Sequence, residues 1–252
     1  MIEVDSSEQR AQDAWSQIVC DLDDAMISLR ARVMKEVDEQ HDGTLMAAVF
    51  DRALEFSASL ISSIKLNGQV GHWREAAILA RAQVELSVRL WWCASSEERW
   101  DSLRAATAQE HIRWANRALV ENPEMADYAA KVKAQRESVL EAIGKVEKMP
   151  SAKSLFESFV AQEQLPTGSS DLYGSIYKPL SGLAHGDMGI IFAHRYRPPR
   201  SLSVMAALLG VQALARASIL AIGMSEESTI SLVMSVWAKT GPAMAFIEGD
   251  SE

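Results

Sequence analysis

Tyr177, Ser181 and His185 stand four residues apart, so on a helix their side chains share one face. A hydroxyl pair ending in a histidine is a face that can pass a proton, because imidazole is the side chain whose charge changes most readily near neutral pH. Directly after it come Gly186 and Gly189, and then His194, Arg195, Arg197 and Arg200 before the next apolar run. The glycines let the chain turn, and the arginines that follow could close over the same helix end and hold a phosphate. A third set lies far upstream: Arg81, Glu85 and Arg89 recur at four residues within a segment otherwise built for burial, GHWREAAILARAQVELSVRLWWCAS. Such spacing is also that of an ordinary salt-bridge ladder on an exposed helix face, worth about 0.2–0.5 kcal/mol per pair. The alternative is a buried Arg81–Glu85 pair aimed at the His185 stripe, which needs a hydrogen-bonded network because unpaired buried charge costs several kcal/mol. For His185 the plainer role is a helix-end histidine bonded to Ser181 or a carbonyl, and for the basic loop a solvated surface.

The elements that must position these residues are helices. From 6 to about 37, apolar Ala14, Trp15, Ile18, Val19, Leu22, Met26 and Leu29 recur at three and four. A second helix spans 44–66 and stops at Asn67-Gly68; the Trp- and Ala-rich third, about 71–95, is apolar over most of its circumference and reads as the core helix. A fourth runs from Ser95-Ser96-Glu97-Glu98 to about 120, and Asn122-Pro123 ends it. A charged helix over 124–148 and a short amphipathic one over 151–160 precede the Tyr177 stretch. Pro198-Pro199 interrupts, an apolar helix runs from 201 to 224, and the last starts at Ser225-Glu226-Glu227 and ends at Gly241-Pro242. No strand pattern or repeat appears, so the expected fold is all-α, a single domain over 1–252 of about eight or nine helices, with 123–165 as a protruding helical insertion.

Composition narrows the function classes. The chain has 252 residues, 48% of them hydrophobic, and a formal net charge of −9, enough to bury a sizeable core and unlike a protein that coats nucleic acid by overall charge. The N-terminus MIEVDSSEQR lacks the basic and apolar regions of a signal peptide, and Cys20 and Cys93 show no metal or redox spacing. A cytoplasmic setting is expected. The most apolar run, VMAALLGVQALARASILAIGM, is broken by Gln212 and Arg216 and reads as a buried helix, so no membrane span is expected. No Glu-x-x-His pair, His-Glu-x-x-His, phosphate-binding Gly-rich loop or nucleophile elbow occurs, and no metal or cofactor is expected.

Arg81-x3-Glu85 followed downstream by Tyr177-x3-Ser181-x3-His185-Gly186 resembles a widespread bacterial family of uncharacterised all-helical proteins, itself similar to the HEPN superfamily of helical nucleases and nucleotide-binding modules. The resemblance implies a HEPN-like core and a metal-independent RNA-cleaving or nucleotide-processing protein of the toxin or phage-defence kind. His185 would then take the 2′-hydroxyl proton and an arginine would hold the phosphate. Catalytic members carry their arginine ahead of the histidine with four to six residues between the two. His185 has none there, so Arg81 or a loop arginine must supply the cation from elsewhere in the fold. The spacing is met at Arg104-x6-His111, but Ala105 stands where active members usually have a polar residue. Two readings result. The first assigns Arg81, Glu85, Tyr177, Ser181 and His185 to a catalytic site for RNA or a nucleotide, with Arg195, Arg197 and Arg200 on phosphate. The second is a non-catalytic helical module that binds a ligand or partner. In both, the apolar run over 204–224 and an exposed Trp237 predict a homodimer.

Overall fold

The computed structural model describes residues 6–40, 45–163, 173–185 and 200–247, with the side chains of 6, 39–40, 45–48, 173, 183, 185 and 244–246 outside the description. Nine α-helices and no strand occur among the described residues. They are α1 (Ser6–Gln40), α2 (Leu45–Gln69), α3 (Trp73–Ala94), α4 (Glu97–Glu121), α5 (Ala126–Ile143), α6 (Ala152–Glu163), α7 (Lys178–His185), α8 (Arg200–Ile222) and α9 (Glu226–Ile247). A 3₁₀ turn, Pro123–Met125, precedes α5, and one turn of π-helix, Tyr173–Tyr177, leads into α7.

These residues form two compact units, one of 1–91 with 152–252 and one of 92–151. The smaller unit therefore begins at Trp92 and ends at Ser151, where composition suggested an insertion over 123–165. The reason lies in α4: its seam residues Ser102, Ala105, Ala108 and Ala115 are buried against its own hairpin partner α5, so the fourth helix goes with the fifth.

In the larger unit α1, α2, α8 and α9 pack together. The apolar stripe of α1, from Ala11 and Trp15 through Leu22 and Met26 to Val33, is buried throughout, as its three-and-four spacing predicts. Arg30 Nε meets Asp51 at 3.0 Å and the Ser62 hydroxyl donates to Asp23 at 3.0 Å, tying α1 alongside α2. The centre of the unit is α8. It is buried almost all round from Ser203 to Ser218, whereas α3, expected at the core, leaves Arg74, Glu75 and Ala82 exposed and Arg81, Glu85 and Arg89 only partly covered. By length and composition α8 could cross a membrane, but its apolar window is mostly buried inside the protein.

Three local expectations give way to packing. The second helix does not stop at Asn67-Gly68 but runs to Gln69, and Gly71 makes the turn at φ 79°. Gly68 is a packing position, since the Trp15 ring occupies the space a Cβ there would take. The last helix continues through Pro242 to Ile247. Proline removes the bond to the Ala238 carbonyl, but both residues are exposed, so water can satisfy it. Trp237 is not exposed: it is buried, with its indole N–H donating to Gln212 Oε1 at 2.8 Å. A buried indole needs that acceptor, which also accounts for a glutamine inside the apolar α8.

Candidate functional site

Arg81 and Glu85 are one turn apart on α3, and Arg81 Nη2 donates to Glu85 Oε1 at 2.7 Å. Their side chains are 16% and 19% exposed, so the pair is mostly withdrawn from water and is not a surface ladder. Arg89, one turn further, reaches Glu85 Oε2 only at 4.0 Å. The third member comes from 92 residues downstream: the Tyr177 hydroxyl donates to Glu85 Oε1. Arg81 also lies over the Tyr177 ring, its Cζ 5.6 Å from the centroid, a cation–π contact of the kind a desolvated guanidinium favours.

The π turn Tyr173–Tyr177 packs against α6 and α8. A π turn holds one residue more than an α turn, so it changes which face the following side chains occupy. At its end Ile176 and Tyr177 are buried, and the Tyr177 ring meets Phe156 of α6 at 5.7 Å between centroids. From this anchor α7 places the half-buried Ser181 one turn on and the backbone of His185 two turns on. The three residues thus lie on one short segment, and Tyr177 joins it to the Arg81–Glu85 pair.

Electrostatics assign a state to each member. Burial above all, and then the hydrogen bond to Glu85, push the Tyr177 phenol up to about 12, with Arg81 opposing. Tyr177 is therefore a neutral donor at physiological pH and no base. Burial is also the largest influence on Arg81 and pulls it down, but the hydrogen bond to Tyr177 and the Glu85 charge together more than offset it. Arg81 stays a cation. The arrangement is a fixed guanidinium held by a carboxylate that a tyrosine also grips.

A model described as a family of unknown function, DUF5677, matches residues 48–196, more than half of the chain. The chain belongs to that family. The DUF5677 match runs from α2 past α7 and contains Arg81, Glu85, Tyr177, Ser181, His185 and Arg195, while Arg197 and Arg200 lie beyond it. No curated protein and no solved structure matches the chain.

Of the three arginines expected on phosphate in this DUF5677 chain, Arg195 and Arg197 lie outside the described residues, as do Gly186, Gly189 and His194. Arg200, the first residue of α8, pairs with Glu8 and stacks over Trp73, its Cζ 4.5 Å from the ring centroid. Trp73 opens α3 two turns before Arg81, and Arg200 is brought to that end of α3. No cluster of His, Cys, Asp and Glu suited to a metal occurs among the described residues.

A charged cluster that sequence spacing did not single out surrounds Arg216. This residue of α8 pairs through Nε with Glu163 of α6 and through Nη1 with Glu226 of α9 at 2.5 Å. Burial raises the Glu163 carboxyl despite the Arg216 charge that opposes it. The available signal was Arg216 itself, a cation in the middle of an apolar run, which must find carboxylates if the run is to be buried.

Proposed function

We propose that this DUF5677 chain is a HEPN-like helical protein that acts on RNA or a nucleotide without a metal, in the cytoplasm, of the kind found in toxin and phage-defence systems. The observation that carries the reading is the meeting of Arg81 and Glu85 with Tyr177, at the root of the helix that ends in His185. In this reading His185 takes the proton of a ribose 2′-hydroxyl as its oxygen attacks phosphorus, and returns a proton to the departing 5′ oxygen. Arg81 steadies the charge that gathers on the phosphoryl oxygens, a role suited to a planar, permanently charged group. Glu85 and Tyr177 are positioning residues: the carboxylate fixes the guanidinium and the neutral phenol ties both to α7.

One observation favours the second reading, a non-catalytic module that binds a ligand or partner. Both Glu85 oxygens already face partners within the chain, so the cluster joins α3 to the π turn that leads into α7, as a structural tie needs to. Incubating the purified protein with labelled single-stranded RNA separates the two. Cleavage is expected in the parent chain and its loss in His185→Ala at an unchanged melting temperature. Undiminished cleavage in that variant would remove His185 from the assignment, and no cleavage by the parent on RNA or nucleotides moves the conclusion to the binding module.

A homodimer belongs to the same proposal, on changed grounds. The apolar α8 and Trp237 are covered within the chain, but Phe56 and Leu66 of α2, Val70 just after it and Ile27 of α1 stand exposed, and the two helices pack together. Light scattering at micromolar concentration should return twice the chain mass, and a monomer mass would remove this part.

A further inference from the structure

Two arginines flank one carboxylate on α3, and only one of them is spent on it. Glu85 Oε1 receives Arg81 Nη2 at 2.7 Å and the Tyr177 hydroxyl, while Oε2 faces Arg89 Nη2 at 4.0 Å, beyond hydrogen-bond reach. Local helix chemistry favours the opposite choice, since a carboxylate pairs better with a cation four residues after it than with one four residues before. The fold overrides that preference. Arg81 lies over the Tyr177 ring, and the Tyr177 hydroxyl is fixed on the same oxygen that Arg81 uses, so Glu85 is held toward Arg81 and Arg89 is left over.

Arg89 differs from Arg81 in what a ligand would meet. Its side chain is 41% exposed against 16% for Arg81, and it forms no hydrogen bond with any described residue. Ala82 is exposed two turns before it on the same side of α3, and Ile78 is half-buried one turn further back, so solvent reaches this face along the stretch that carries Glu85. The cluster also holds more charge than a tie between elements needs. Two guanidiniums, one carboxylate and a neutral phenol leave one positive charge, in a chain whose formal net charge is −9. Arg81 and Glu85 suffice to anchor Tyr177, and a second cation finds that carboxylate already neutralised by the first. An anion brought to the open side of Arg89 supplies the charge-assisted hydrogen bonds that Glu85 does not.

We infer that Arg89 is the residue that takes the phosphate of the ligand before any bond is broken. The contact is made by its terminal nitrogens, since Nε lies out of solvent. Arg81 keeps Glu85 and Tyr177 in place and meets the phosphoryl charge as it grows. The inference rests on the reading above for its ligand class, RNA or a nucleotide, and adds a binding residue to it.

The test is equilibrium binding by the full chain of two probes, a labelled single-stranded oligoribonucleotide over a salt series and adenosine monophosphate. Arg89→Ala is expected to weaken binding about tenfold, the loss of one charge-assisted hydrogen bond, at an unchanged melting temperature. For the strand, the slope of log affinity against log salt should become shallower by about 0.7, the share of one phosphate on a single strand. A purely structural role would not move that slope. Arg89→Gln removes the charge with less change of bulk and should reproduce both effects, which keeps the test valid if the alanine variant is unstable. Arg89→Lys retains the charge and should restore the slope while recovering part of the affinity. Arg117→Ala takes the same charge from an exposed position in the smaller unit and should change neither quantity. Failure of both probes to bind the parent chain overturns the inference, as does binding that Arg89→Gln leaves unchanged or that Arg117→Ala weakens equally. Binding that depends on Arg89 without any cleavage removes the nuclease reading and leaves this contact standing. Cleavage of subsaturating RNA that Arg89→Gln leaves undiminished does the reverse.

Discussion

Glu85→Ala is expected to destabilise the larger unit by about 3–5 kcal/mol, because removing one member of a withdrawn ion pair strands the other. Arg81 would keep its charge in a place where its side chain is only 16% exposed, and the buried Tyr177 would lose the acceptor of its hydroxyl. The second loss alone is worth about 1–3 kcal/mol when the orphaned group is buried. Some solvent reaches both charged side chains, which places the expected value toward the lower end of the range. Tyr177→Phe removes only the hydroxyl and should cost less, and the double variant with Glu85→Ala should cost less than the two single losses added, since one hydrogen bond is counted in both. Urea melts followed by far-ultraviolet dichroism measure all three. A midpoint unchanged in Glu85→Ala would mean that the pair behaves in solution as an exposed ladder and anchors nothing.

Gly68→Ala carries the second large effect, and its sign runs against the usual rule. An alanine in a helix interior is ordinarily better than glycine by about 1 kcal/mol. At Gly68 the added methyl would overlap the six-membered ring of Trp15. That indole cannot step aside: it is fully buried, its edge meets Trp73 at 5.0 Å between centroids, and its N–H donates to the Ser203 hydroxyl at 3.3 Å. Overpacking of a rigid core position costs about 1–3 kcal/mol or more, so a net loss near the upper end is expected. Trp15→Phe, which withdraws the part of the ring that Gly68 accommodates, should recover part of the loss when combined with Gly68→Ala. A gain in stability from Gly68→Ala alone would show that Trp15 is not seated against α2.

Much of the scaffold is legible in the residues themselves. The helices of the larger unit follow from apolar side chains at three and four, a pattern that depends only on bonds closing within four residues. Thus α1 is helical throughout the span its pattern predicts, and the Ser225-Glu226-Glu227 start of α9 is matched by the Ser228 N–H donating to Ser225 Oγ at 3.5 Å. The pairing of Arg81 with Glu85 is likewise local, one turn along one helix. The charge of Arg216 announces buried carboxylates but not which ones, since Glu163 and Glu226 lie on two other helices.

What tertiary structure decides is every relation that crosses between elements. Whether Arg81–Glu85 is withdrawn or exposed depends on Tyr177 and Phe156, and no spacing near Glu85 encodes a partner 92 residues away. The π turn at Tyr173–Tyr177 leaves no mark in composition, because one extra residue in a turn costs little where α6 and α8 supply the packing. Asn67-Gly68 and Gly241-Pro242 look like stops by local propensity, yet the first is helical because Trp15 claims the space above Gly68, and the second because Pro242 gives up its bond on the solvent side. Trp237 reads as exposed until Gln212 is placed beside it. Periodicity reports which face of a helix is apolar; what covers that face, and which polar groups meet under it, is set by side chains distant in the chain.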